Sequence, residues 1–158
     1  MRAIKIDPAH RAISEIDLDV DPLEHDKSFF QATLKEVFGD NEPGLLEVAS
    51  LGGGIEGWFD EEGLFKPWDE QSFFAMHPPG MSDTQNPFAG AMVIVSRGRS
   101  GDSAPLHSRI TVELMERCVT WMDAKNVRTP APKIYTQNPD GSATLVHDGG
   151  TWTYDNQP

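Results

Sequence analysis

The chain has 158 residues, 38% of them apolar, and a formal net charge of −12, which fits one folded domain rather than a generally disordered chain. The charge is uneven, because residues 1–83 hold 18 of the 25 acidic side chains but only 6 of the 13 basic ones. An acidic surface repels nucleic acid, so direct nucleic-acid binding is the function that the composition excludes most clearly.

The single cysteine, Cys118, cannot form an intramolecular disulfide, and the N-terminus lacks the basic-then-apolar pattern of a secretion signal. The longest apolar run, residues 88–95, is far shorter than the roughly 18 residues that span a bilayer. We therefore expect a cytoplasmic protein without a membrane role.

The first predicted element is a β-hairpin, with strands at residues 3–6 and from 12 to 18 or 20. Alternation in the second strand sends Ile16, Leu18 and Val20 to the core and the acidic side chains between them to solvent. The acidic run continues beyond the strand. Its six carboxylates are the predicted partner-binding residues: Glu15, Asp17, Asp19, Asp21, Glu24 and Asp26.

Three interpretations of this acidic run stay open. Charge on an edge strand discourages pairing with other sheets. Asp17, Asp19 and Asp21 match the first three ligand positions of an EF-hand calcium loop. However, Pro22 stands where that loop needs glycine, and Ser28 where it needs a bidentate glutamate. Same-face carboxylates on a strand repeat about every 6.8 Å, near the phosphate spacing of DNA, which suits binding to a basic protein surface.

A helix is predicted at residues 28–38, because Phe30, Leu34, Val37 and Phe38 recur at helical spacing, and Gly39 ends it. Its apolar stripe is expected to pack on the sheet.

Strands are predicted next, at residues 45–50, 55–59 and 64–66, with a turn at 60–63. The glycines at 52–54 are followed by a strand pattern rather than a helix, so they predict a hairpin loop and not a phosphate loop. Residues 67–87 hold four of the twelve prolines and predict an irregular loop.

Residues 89–95 are apolar and rich in β-branched side chains, which predicts a central strand. A glycine- and serine-rich turn follows at 97–104, and a helix at 108–125 whose apolar face includes Cys118. Cys118 is therefore interpreted as a small buried apolar residue and not as a nucleophile.

Short strands at 134–135, 143–146 and 152–154 complete the pattern. The predicted fold is α+β, a mixed or mainly antiparallel sheet with two helices packed on it. Residues 1–128 form the domain, and residues 129–158 form a small C-terminal β-meander that extends it.

A second candidate site lies near the loop at 67–87. Arg97 and Arg99 flank a glycine-serine turn, where guanidinium groups are suited to hold a phosphate or carboxylate. With His77 and His107 they form the alternative site of a small enzyme or small-ligand binder. The histidines show no metal-ligand spacing, so we predict no metal, no cofactor and no catalytic residue.

Several pieces of the sequence carry a resemblance. They are residues 1–8 with 13–17, the turn at 60–64 with Lys66, the pair Phe73 and Phe74, and residues 86–90 with the valine-rich strand that follows. They are similar to a family of short proteins of unknown function carried by phages and other mobile elements, over residues 1–125. The resemblance implies a small α+β domain in a bacterial cytoplasm, with no activity, cofactor or catalytic residue to transfer.

The first functional hypothesis is therefore a non-enzymatic domain that binds a basic surface of a host protein through the acidic run. Homo-oligomerisation is left open by the sequence.

Overall fold

The computed structural model describes residues 1–39, 44–63, 71–77 and 87–122 in full, together with the backbone of four strands further along the chain. The chain divides into two compact units, Met1–Met122 and Asp123–Pro158. Its described elements are helices and mostly antiparallel sheets, which confirms the α+β class.

The described elements of the first unit follow one another along the chain. They are β1 (Arg2–Asp7), β2 (Ala12–Asp17), α1 (His25–Phe38), β3 (Leu46–Gly52), β4 (Ile55–Asp60), β5 (Phe73–Met76), β6 (Phe88–Ala89), β7 (Met92–Arg97), β8 (Ser103–Ala104), α2 (Val112–Cys118) and β9 (Val119–Met122). Six strands form the main sheet, in the order β2-β1-β7-β4-β3, with β8 paired to β7. A three-stranded sheet has the order β6-β5-β9.

The predicted N-terminal hairpin is confirmed. β1 and β2 pair antiparallel from Arg2 opposite Asp17 to Asp7 opposite Ala12. Ile16 and Val20 are partly buried and Leu18 is buried, as the alternation predicts. The hydrogen-bonded strand ends at Asp17, although Leu18 N–H still donates to the Met1 carbonyl at 2.8 Å.

β7 lies in the middle of the main sheet, between β1 and β4, which confirms the prediction of a central strand. Its residues 92–95 have no exposed surface. The strand begins at Met92 rather than at Ala89, because Gly90 adopts a φ of 77° and donates its N–H to the Ser72 carbonyl. This turn moves Phe88–Ala89 into the smaller sheet, where they pair with β5.

Alternate side chains of β7 serve two separate cores. Val93 and Val95 pack with Phe29 of α1 on one face of the main sheet. Met92 and Ile94 pack on the other face, in a cluster that includes Phe74 of β5, and Met115 and Cys118 of α2. The main sheet is therefore the middle layer of the first unit.

The predicted helix at 108–125 is confirmed over Val112–Cys118 and wrong at residues 108–111 and 119–122, while residues 123–125 lie outside the described part of the chain. α2 begins after Thr111, whose hydroxyl caps it by accepting from Leu114 N–H. After Cys118 the chain continues as β9, which pairs antiparallel with β5. Val119, Thr120 and Trp121 are β-branched or aromatic, and the edge of β5 supplies the partner that a strand needs.

The predicted irregular loop at 67–87 contains a strand. β5 is buried at every position and lies between β6 and β9. The four apolar residues of β5 show no alternation, because a strand buried on both faces has none, and so they give no period-two signal. The parts of this segment at 67–70 and 78–86 lie outside the described residues, as does the strand predicted at 64–66.

Helix α1 extends over His25–Phe38 and ends at Gly39, whose N–H donates to the Lys35 carbonyl. The predicted buried stripe holds at Val37, which packs against the core, but is displaced by one position earlier in the helix. Phe29 and Thr33 are the buried residues, whereas Phe30 is 42% exposed. The ring of Phe29 packs edge-on against Trp58 of β4, with 5.3 Å between ring centroids, and this contact orients the helix.

The second unit contains four strands, β10 (Arg128–Pro130), β11 (Ile134–Gln137), β12 (Ala143–His147) and β13 (Thr151–Thr153). β11 pairs antiparallel with β12, and β10 with β13. Neither helix in the described part of the chain is long and apolar enough to cross a membrane.

Thr33 and Thr111 provide a matched pair of predictions. Thr33→Val removes a fully buried hydroxyl that has no hydrogen-bond partner among the described residues, so the free energy of unfolding should rise by about 1 kcal/mol. Thr111→Val removes the helix cap and should lower it by about 1 kcal/mol. Urea unfolding followed by tryptophan fluorescence measures both, and a change of the same sign in the two variants would contradict this packing.

Candidate functional site

The six predicted partner-binding carboxylates are all exposed. They begin on the edge strand β2, continue through the connection to α1, and end in the first turn of that helix. We call this surface the acidic edge, and its members are Glu15, Asp17, Asp19, Asp21, Glu24 and Asp26.

Four carboxylates of the acidic edge have partners within the molecule. The shortest pairs join Glu15 to Arg2 and Asp17 to the terminal ammonium, both at 2.6 Å. Glu24 pairs with Lys27 at 3.2 Å, and Asp26 contacts the ring of His25 at 3.3 Å. Exposed ion pairs of this kind are weak and screened by salt.

Asp19 and Asp21 have no ion-pair partner among the described residues. One oxygen of Asp21 accepts the Leu23 N–H at 2.8 Å, which holds the turn before α1. Six carboxylates therefore face three cationic groups, and the surface as a whole stays negative.

Arg2 connects the β2 end of the acidic edge to the rest of the first unit through hydrogen bonds. Its guanidinium donates to the carbonyls of Leu106 and His107 at 3.0 Å and of Ile110 at 2.9 Å. The same group donates to the Glu15 carboxylate, and this hydrogen bond lowers the pKa of Glu15. Glu15 therefore has two roles: it contributes negative charge to the acidic edge, and through Arg2 it connects β2 to the loop before α2.

A groove of about 620 Å³ lies at the other end of the acidic edge. Val48 and Trp58 lie on the sheet side of it, Phe30 and Asp26 on the α1 side, and residues 101–103 close one end. We call it the α1 groove. Because α1 packs over β4 and β7, it leaves β3 open, and Val48 is 46% exposed.

Two oppositely charged residues line the α1 groove. Arg97 of β7 lies 3.4 Å from the carboxylate of Glu56 on β4, and Glu56 retains only 12% side-chain exposure. Beside them, the indole nitrogen of Trp58 is buried and has no partner among the described residues. The lining of the α1 groove therefore combines an aromatic surface with an ion pair whose two charges already balance each other.

The residues of the alternative site lie at different places. Arg97 lines the α1 groove, and Arg99 is exposed on the turn beyond it. His107 N–H donates to the Ser96 hydroxyl. Ser96 and Arg97 are neighbours in a strand and so face opposite sides of the sheet. His77 is exposed after β5, with its N–H bonded to the Cys118 carbonyl.

Other candidate chemistry finds no support within the described residues. No group of three or more His, Cys, Asp or Glu there could hold a metal ion. Cys118 is 3% exposed and its burial raises the pKa of the thiol, which disfavours the reactive thiolate. The glycines at 52–54 form the turn between β3 and β4, all with positive φ, and lead into a strand.

Comparison of the chain with protein-family models, with curated proteins and with solved structures finds no match.

The sequence does not predict the α1 groove, because the predicted helix stripe places Phe30 in the core and no pattern marks Val48. Helical periodicity alone gives no signal that places Phe29 rather than Phe30 in the core.

The lowered pKa of Glu15 predicts a pH dependence of stability. A carboxylate whose folded-state pKa lies below its ordinary value of 4.5 stabilises the fold above that value, and the effect is lost as the pH falls through the folded pKa. The wild type should therefore be more stable than Glu15→Gln at neutral pH, and the difference should shrink below about pH 4.5.

Unfolding free energies from urea titrations across this range test the expectation. Glu113→Gln, at an exposed helix position without an ion pair among the described residues, is the control. A stability difference for Glu15→Gln that does not change with pH would contradict the assignment.

Proposed function

We propose that this protein is a non-enzymatic binding domain that uses the acidic edge to occupy a basic surface of another protein. The observation that supports this most is the exposure of all six carboxylates from Glu15 to Asp26, with only three cationic groups beside them among the described residues. Electrostatic complementarity of this kind speeds association and selects cationic partners.

The pairing within the acidic edge sets which carboxylates are available. Asp19 and Asp21 need no ion pair broken before they meet a cation, whereas Glu15 is held by Arg2. We therefore assign the central part of the acidic edge, rather than its β2 end, to the partner.

The resemblance to phage and mobile-element proteins favours, in this proposal, a partner among the host proteins of a bacterial cytoplasm. A nucleic-acid-binding groove is the kind of basic surface that a run of exposed carboxylates would fit. We further propose that residues 129–158 form a small β-meander that extends the domain.

Charge variants with equal net change test the proposal. Asp17→Asn, Asp19→Lys and Asp21→Asn together retain oxygen acceptors for the terminal ammonium and for Leu23 N–H while removing the local negative charge. The control combines Glu61→Gln, Glu113→Lys and Glu116→Gln, which are exposed and lie elsewhere in the sequence. Circular dichroism confirms that each variant is folded.

The measurement is affinity capture of basic proteins from bacterial lysate, followed by elution with increasing salt. We expect the wild type and the control to retain the same basic partner, and the acidic-edge variant to lose it. Elution should come at moderate salt, because screening weakens exposed charge pairs. Equal retention by all three proteins, or the absence of a salt-sensitive partner of the wild type, would refute the proposed function.

A further inference from the structure

The α1 groove has an apolar centre that solvent reaches. Phe30 is 42% exposed and Val48 46% exposed, and Trp58 lines the sheet side of the same groove. A volume of about 620 Å³ lies within the range of roughly 300–1,000 Å³ that is usual for ligand pockets. The groove is therefore large enough to enclose one bulky side chain together with part of the chain that carries it.

The polar groups of the α1 groove do not converge on a small ligand. Arg97 is paired with Glu56, and Lys27 is paired with Glu24. Small-molecule sites place a few polar groups so that they point at the ligand and orient it. An apolar centre inside a charged border is instead the arrangement of a protein–protein interface.

The charge at the border of the α1 groove favours a cationic partner. Asp26 on α1 and Asp102 on the loop flank the groove, and neither has a Lys or Arg partner within the described residues. Asp102 accepts the hydroxyl of Ser100, at 2.5 Å. Asp26 is also the last member of the acidic edge, so the groove and that surface are continuous.

A second copy of this chain is a poor occupant for the same reason. If the second copy docked through the same face, the two acidic edges would lie against each other and repel, and the net charge of −12 of each copy adds to that repulsion. The complementary occupant is a polypeptide with the opposite charge.

We infer that the α1 groove receives a large apolar side chain, aromatic or leucine, from a partner segment in which Lys or Arg residues flank that side chain. The inference rests on the proposed function and gives the same partner an anchoring point. The flanking cations meet Asp26 and Asp102, and the apolar side chain covers Phe30, Val48 and Trp58. Buried aromatic anchors supply most of the affinity of such interfaces, while charges at the border set partner choice.

Three synthetic peptides separate charge from the apolar anchor. The first is Lys-Lys-Leu-Trp-Leu-Lys-Lys, the second replaces its three apolar residues with serine, and the third replaces its lysines with glutamate. Each is titrated into the ¹⁵N-labelled full chain, and the shifts of backbone amide signals report where it binds and how tightly.

One groove variant, which carries two substitutions, and one exposed-site variant complete the design. Phe30→Gln with Val48→Thr makes the α1 groove polar without adding charge. Leu23→Gln changes another exposed apolar residue, 93% exposed, that does not line the groove. Both proteins keep the full acidic edge.

We expect the first peptide to shift the amide signals of Phe30, Val48 and Trp58 and to bind the groove variant about tenfold more weakly, with little change for Leu23→Gln. The serine peptide should bind weakly and equally to all three proteins, and the glutamate peptide should not bind.

Two negative results are distinguishable. If both lysine peptides bind equally well and the groove variant has no effect, the groove inference is overturned while the proposed function stands. If neither lysine peptide binds the wild type at low salt, the acidic surface does not attract cationic chains and both proposals fall.

Discussion

The four residues of β7 from Met92 to Val95 have no exposed surface, so the main sheet needs a covering layer on each face. Burying an aliphatic side chain of this size contributes about 1.5–3 kcal/mol, and the two faces divide these residues between them. Val93 and Val95 require a layer that α1 supplies through Phe29. Met92 and Ile94 require the layer built from α2 and the smaller sheet.

The same constraint produces the α1 groove. A helix is about 10 Å wide and strands lie about 4.8 Å apart, so one helix covers about two strands of the main sheet. Phe29 fixes α1 against Trp58 of β4 and over the central β7. The far side of β4 and the edge strand β3 are left open, with Val48 facing solvent. The connection that brings the chain from β2 to α1 carries the acidic edge to this opening.

Local patterns predicted those elements whose partners are close in sequence. The hairpins of β1 with β2 and of β3 with β4, the position of β7 and the end of α1 at Gly39 follow from alternation, β-branched content and glycine. Within the predicted helix, the apolar spacing of residues 119–122 suits a helix, whereas pairing with β5 holds β9 as a strand. β5 gives no alternation for a local pattern to detect, because it is buried at every position between β6 and β9.

The candidate site shows the same division. The exposure of the acidic edge from Glu15 to Asp21 follows the predicted alternation, although β2 itself ends at Asp17, whereas Glu24 and Asp26 lie beyond any strand. The ion pair between Glu15 and Arg2 could not be predicted, because the guanidinium is positioned by carbonyls more than a hundred residues away in the chain. The α1 groove depends on the orientation of α1, which differs by one residue from the predicted one. Phe29 lies in the core, and Phe30 lies at the groove. Helical periodicity cannot distinguish two adjacent phenylalanines without knowledge of the surface beneath them.

Amide hydrogen exchange measured by NMR tests the central claim most directly. If β7 is covered on both faces and β3 is an open edge, the amides of residues 92–95 should exchange only through global unfolding. The β3 amides that do not bond to β4 should exchange many times faster. Protection of these β3 amides equal to that of β7 would show that the edge is covered, and would contradict both the layer arrangement and the open α1 groove.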